Sequence, residues 1–142
     1  MNLRPIRIPA LLVLLLLATL AGCSSATKTN PRDEMLYHYV SVIRWSEFEA
    51  ALGFIDPKIL EADPVSSFEL ERYKQFKVSG YEVKSARDLS EDEYEQIVEI
   101  RLVNINTQVE KIITDHQIWR WDPEGKRWWL ASGLPDLDAE VH

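Results

Sequence analysis

The stretch Gln117-Ile118-Trp119-Arg120-Trp121-Asp122-Pro123-Glu124-Gly125-Lys126-Arg127-Trp128-Trp129-Leu130 decides the fold. Two aromatic-rich, β-prone runs flank Asp122-Pro123-Glu124-Gly125. Pro123 presets φ for position i+1 of a turn, and Gly125 can supply a positive φ. The reading is a β-hairpin, with one strand over 111–121 and the next over 128–132. Upstream the apolar period stays at two. Val98, Ile100 and Leu102 share one side of a long strand over 94–106, and Ile97, Glu99, Arg101, Val103 and Ile105 share the other. Phe76, Val78 and Gly80 alternate with Lys77, Ser79 and Tyr81 in an earlier strand that continues through Val83 toward Arg87. Ser90-Glu91-Asp92-Glu93 reads as a solvated loop, and Gln108-Val109-Glu110 as a turn.

Before residue 72 the period is helical. Asp33 is placed to cap a first helix whose apolar face is Leu36, Tyr39, Val40 and Ile43. Ser46 is placed to cap a second, with Glu47 and Glu49 in its first turn and Phe48, Ala51, Leu52 and Ile55 on its apolar face. Gly53 weakens its end and Asp56-Pro57 stops it. Lys58 to Ala62 has room for one short turn before Asp63-Pro64. The tail from Asp136 is polar and is expected to fray. Helices followed by four consecutive strands predict an α+β domain, with N-terminal helices packed on a curved antiparallel sheet of about four strands.

Two stretches carry a family resemblance. Tyr39-Val40-Ser41-Val42-Ile43-Arg44-Trp45-Ser46-Glu47-Phe48, running on to Phe54-Ile55-Asp56-Pro57, looks like the helical pair of the NTF2-like superfamily, the cystatin-like α+β cone. The terminal hairpin quoted above resembles its closing strands. The resemblance covers residues 34–135. It implies a cone with an interior that some members use for catalysis. Its motifs are degenerate, and fold analogy does not license function.

The N-terminus has its own logic. Arg4 and Arg7 form a basic patch before an apolar stretch from Ile8 to Ala18, and small residues follow. This is the three-part plan of a secretory signal, and about 11 apolar residues fall well short of the ~20 a bilayer span needs. The rival reading is an uncleaved anchor. Leu20-Ala21-Gly22-Cys23 resembles the lipobox of bacterial lipoproteins, and Cys23 is the only cysteine in the chain. The resemblance implies cleavage before Cys23 and acylation of its sulfur and new amino group. One acyl chain anchors only marginally, whereas two or three on one cysteine hold firmly. Residues 1–22 are then a signal peptide, and 23–33 the acylated cysteine with a flexible linker. Ser24, where Asp would mark inner-membrane retention, leans toward the outer membrane facing the periplasm. The membrane, reached through the lipid on Cys23, is the first expected partner.

Residues 1–22 hold two of the 16 basic residues and none of the 23 acidic ones. Residues 23–142 thus set 14 basic against 23 acidic residues, a net charge of −9. That argues against nucleic-acid binding, which uses basic patches. The remaining 120 residues suit one domain with a core that needs no disulfide. Three scattered histidines and one acylated cysteine make no metal site, and no cofactor motif is present.

Asp115-His116 is the most tempting catalytic pair, but adjacent strand residues point to opposite faces. If Ile113, Asp115, Gln117, Trp119 and Trp121 form the inward face, a desolvated Asp115 has a raised pKa and is a candidate base. The plainer reading makes Asp115 and Gln117 polar sheet positions. Four of the five tryptophans crowd the hairpin. Trp119 and Trp129 read as packing residues, which leaves Trp128 as the exposed contact. Trp128, Trp119 and Gln117 are the candidate binding residues, for an envelope protein or a small apolar ligand. The expectation is a non-enzymatic binding or interaction module. A small isomerase- or hydrolase-like enzyme using Asp115, and an accessory subunit of an envelope complex, are the alternatives.

Overall fold

The computed structural model describes residues 30–139, so the expected leader, Cys23 and most of the linker lie outside the described residues. Helix α1 spans Pro31–Arg44. Its cap is Asn30, whose side chain accepts a hydrogen bond from the Arg32 N–H at 3.0 Å; the expectation that Asp33 caps it is corrected. Pro31 follows the cap, where its missing N–H costs nothing. Asp33 and Glu34 instead sit in the first turn, where the helix dipole favours negative charge. The helix thereby takes up the last three residues of the expected linker.

Ser46 also departs from its expected role. The Ser46 N–H reaches the Ile43 carbonyl at 2.8 Å and the Glu47 N–H the Val42 carbonyl at 3.0 Å, with Ser46 at φ 63°. This is the left-handed closing motif of a helix C-terminus, with serine where glycine is usual. Ser46 ends α1 rather than capping the next helix. Its hydroxyl accepts from the Val78 N–H at 2.9 Å and ties the helix end to the sheet. Helix α2, Phe48–Ala51, runs into a 3₁₀ turn at Leu52–Phe54. Helix α3, Pro57–Ala62, is capped by the Asp56 side chain on the Lys58 N–H. Helix α4, Ser67–Tyr73, has no counterpart in the sequence reading. The Ser66 hydroxyl accepts from the Glu69 N–H while the Glu69 carboxylate accepts from the Ser66 N–H, a reciprocal capping box.

The strands are β1 (Phe76–Asp88), β2 (Glu93–Asn104), β3 (Glu110–Asp122) and β4 (Arg127–Leu130). Among the described residues they form one sheet in the order β1-β2-β3-β4, each antiparallel to its neighbour. The α+β class and helices-then-strands order are as expected. Two bulges interrupt β1, between Val78 and Gly80 and between Val83 and Ser85. The first changes the face that Tyr81 occupies. Simple alternation groups Tyr81 with Lys77; with Ser79 as the extra residue, Tyr81 pairs with buried Ile100 and joins the interior face.

The core lies between that face and the helices. Tyr39 and Ile43 of α1, Phe48 and Ala51 of α2, and Ile55 meet Val98, Ile100, Leu102, Ile113, Trp119 and Leu130. Tyr39 meets Trp119 edge-on at 5.2 Å and Phe54 at 5.5 Å, the favoured geometry for such rings.

The hairpin inverts one expectation. Positive φ falls on Lys126, at 50°, not on Gly125. Gly125 makes room for the Asp122 carboxylate: a Cβ there would lie 2.6 Å from Asp122 Oδ2 and push that side chain aside. Four loop residues place Trp128 opposite Trp121, Trp129 opposite Arg120 and Leu130 opposite Trp119. Directly opposed residues share a face. Trp128 is therefore buried, at 7% exposure, and Trp129 is half-buried on the other face. The assignment of Trp129 to the core and Trp128 to solvent is corrected.

The tail is docked, not frayed, as far as residue 139. Leu137 is 3% exposed within the core, the Arg72 guanidinium donates to Asp138 at 2.8 and 3.0 Å, and Lys111 Nζ donates to the Leu137 carbonyl. The Tyr73 hydroxyl donates to the Pro135 carbonyl at 2.9 Å.

Candidate functional site

The interior face of the sheet holds a small polar cluster inside an apolar core. Strand period brings Asp115, Gln117 and Trp119 of β3 inward, Gln96 of β2 lies opposite Gln117, and the β1 bulge adds Tyr81. Gln117 is its hub. Its amide nitrogen donates to Asp115 Oδ2 at 2.6 Å and to the Tyr81 hydroxyl at 3.0 Å, and its carbonyl accepts from Gln96 Nε2 at 2.6 Å. The Tyr39 hydroxyl is buried nearby in the core without a protein partner.

Asp115 is 5% exposed. Burial pushes its carboxyl up from 3.8 to about 6; the Gln117 hydrogen bond pulls the other way, with a smaller contribution from His116. Burial is also the main cause that raises the Tyr39 and Tyr81 phenols, and the Asp115 charge adds to it. His116 is exposed on the opposite face, so the two side chains do not converge, as the strand period requires. Among the described residues no group of three or more metal-ligating side chains occurs.

Three surface clefts stand apart from this cluster, a fourth of about 300 Å³ has Tyr81 in its wall, and Asp115 lines none of the four. One of about 540 Å³ lies between the start of α2 and α4, over the stacked rings of Phe48 and Tyr73 at 4.8 Å. One of about 390 Å³ runs along the outer side of α1. The third, about 410 Å³, follows the β3–β4 hairpin and is lined by Asp56, Pro57, Lys58, Arg120, Trp121, Asp122, Pro123, Glu124 and Trp129. Its aromatic wall is braced. The Arg127 guanidinium stacks on Trp129 at 3.6 Å and donates to the Gly53 carbonyl at 3.2 Å. The Trp129 indole donates to Asp122 at 3.3 Å. The Gly125 N–H, followed by that indole, holds the Asp122 carboxyl below its ordinary value, so it stays ionised.

Of the candidate residues, Asp115, Gln117 and Trp119 come together, Trp128 shares the core with Trp119 but makes no hydrogen bond to the polar cluster, and Cys23 lies outside the described residues. The residues missed are Tyr81 and Gln96 in the cluster and Trp121, Trp129 and Lys58 in the hairpin cleft. Gln96 was legible, two positions before Val98. Lys58 comes from a different part of the chain, and no local pattern links it to the hairpin. No family model matches the chain, and no curated protein or solved structure matches it either.

Proposed function

We propose that this chain is a lipid-anchored domain of the bacterial cell envelope, built as an NTF2-like cone, that binds a protein partner and catalyses no reaction. The tether rests on the lipobox-like Leu20-Ala21-Gly22-Cys23, and Ser24 favours the outer membrane facing the periplasm. The cone reading is supported by helices covering one face of an antiparallel sheet whose first strand is bent by two bulges. The observation that carries binding over catalysis is placement. The ionisable interior residue is sealed by packing, while two tryptophans wall an open cleft with charges of both signs. Tryptophan and arginine are the residues most enriched where protein interfaces gain their energy. The test is a photo-reactive residue at Lys58 or Glu124, with His116 as the control position. Cross-linking to one envelope protein should occur from the cleft, not from the control. Trp129→Ala should weaken capture by about 1–3 kcal/mol. Equal capture by a folded Trp129→Ala protein would overturn the assignment.

One observation favours a small enzyme instead: the raised pKa of Asp115 suits a general base at mildly acid pH. That reading requires substrate to reach a carboxyl that lines none of the clefts described. It predicts a loss of function of at least ~10²-fold for Asp115→Asn in complementation. The binding reading predicts none.

A further inference from the structure

The outer face of α1 is aromatic and uncovered. Tyr37 is 73% exposed and Trp45 74%, the latter just past the helix end. They border one groove with Val40, Ser41 and Arg44. Positions 37, 41 and 45 follow the i, i+4 ridge of a helix, while Tyr39 and Ile43 on the opposite side fill the core. The groove is therefore a surface of an already packed helix.

What covers it is indicated by where the chain comes from. The Asn30 cap of α1 stands seven residues after Cys23. Seven residues reach at most about 25 Å when fully extended, and a 14-residue helix is about 21 Å long. A lipid on Cys23 thus holds the start of α1 within about 25 Å of a bilayer and its far end, at Trp45, within about 46 Å, close enough for the helix to lie along the surface. Tryptophan and tyrosine are the side chains that settle at headgroup depth, with an apolar body and a polar tip. Arg44, beside Trp45 in the groove, supplies a donor for lipid phosphate. The net charge of −9 expected for residues 23–142 disfavours attraction to an anionic surface, so the aromatic rings supply most of the contact.

The geometry points to a bilayer-docking face on α1, in which Tyr37 and Trp45 rest among zwitterionic headgroups and fix the orientation of the domain on its tether. This rests on the proposed tether at Cys23. Docking leaves the hairpin cleft, on other elements, free for a partner.

The test uses the full-length protein in phosphatidylcholine vesicles, whose lipid or leader holds it to the membrane either way. Lipids brominated on the acyl chain near the headgroup should quench part of the tryptophan emission. Trp45→Phe should abolish that part, and anionic lipid added to the vesicle should reduce it. Quenching that is absent, or unchanged in Trp45→Phe, overturns the docking face. Trp45-dependent chemical cross-links between copies, or to another protein, in place of quenching overturn it in favour of that occupant. Palmitate labelling of wild type and Cys23→Ala is scored separately. Label that is absent from the wild type, or that persists in Cys23→Ala, condemns the tether, while the quenching result still decides the docking.

Discussion

Asp115 is ionised at a cost, because its carboxyl is buried and has one strong donor, Gln117. The sign follows from proton counting. With a folded pKa of about 6 against 3.8, the native state binds more protons than the unfolded chain between those values. The stability this group contributes is full below about pH 4 and is lost as pH rises through about 6. The loss is on the order of 3 kcal/mol for a carboxyl raised from 3.8 to about 6. Asp115→Asn keeps an acceptor for Gln117 and removes the titration. The variant should unfold with little pH dependence over this range and be more stable than wild type at pH 8. Thermal melts from pH 4 to 8 test it; parallel curves for both proteins would mean that Asp115 is hydrated. At this scale the inward placement of Asp115 and Gln117 was legible from strand period. Tyr81 was not, because one bulge residue reverses the parity of the strand until the second bulge restores it.

The hairpin is the element where parity matters most. Trp128 packs against Trp121 at 5.9 Å and is buried, whereas Trp129 is half-buried and held by Arg127. Trp128→Ala should cost about 3–5 kcal/mol by urea unfolding, the range for a large core aromatic. Trp129→Ala should cost less than half of that and leave the fold cooperative. The reverse order would mean that β3 and β4 pair in another register. Helix ends show a related effect. Ser46 followed by two glutamates has the composition of an N-cap, yet the left-handed closing turn of α1 claims it. A cap signal names a residue type, and packing decides which helix uses it.

For the whole molecule, the docked tail is the instructive case. Leu137 fills the core, and its neighbours tie α4 and β3 to the chain end. Leu137→Ala should therefore lower stability by about 2–3 kcal/mol, toward the low end for core leucines because a terminal segment can settle into the space. Chemical denaturation measures it. A change below about 0.5 kcal/mol would show the tail to be detached in solution. The division of surfaces has the same origin in the whole fold. Lys58 and Trp129 line one cleft because the Asp56 N–H bonds the Leu130 carbonyl and brings the start of α3 to the hairpin, and Tyr37 and Trp45 stay uncovered because Tyr39 and Ile43 turn the other side of α1 inward.

Sequence alone determined the α+β class, the order of helices and strands, the inward face of β2 and β3, and the expectation of an acylated Cys23. These depend on periodicity and local chemistry, which act over a few residues. Tertiary structure decided the face of Tyr81, the exchange of Trp128 and Trp129, the role of Ser46, the docking of Leu137 and the lining of the hairpin cleft. Each of these turns on a bulge, a loop length or a contact between distant segments. Such features change which residues meet without changing the local pattern from which elements are read.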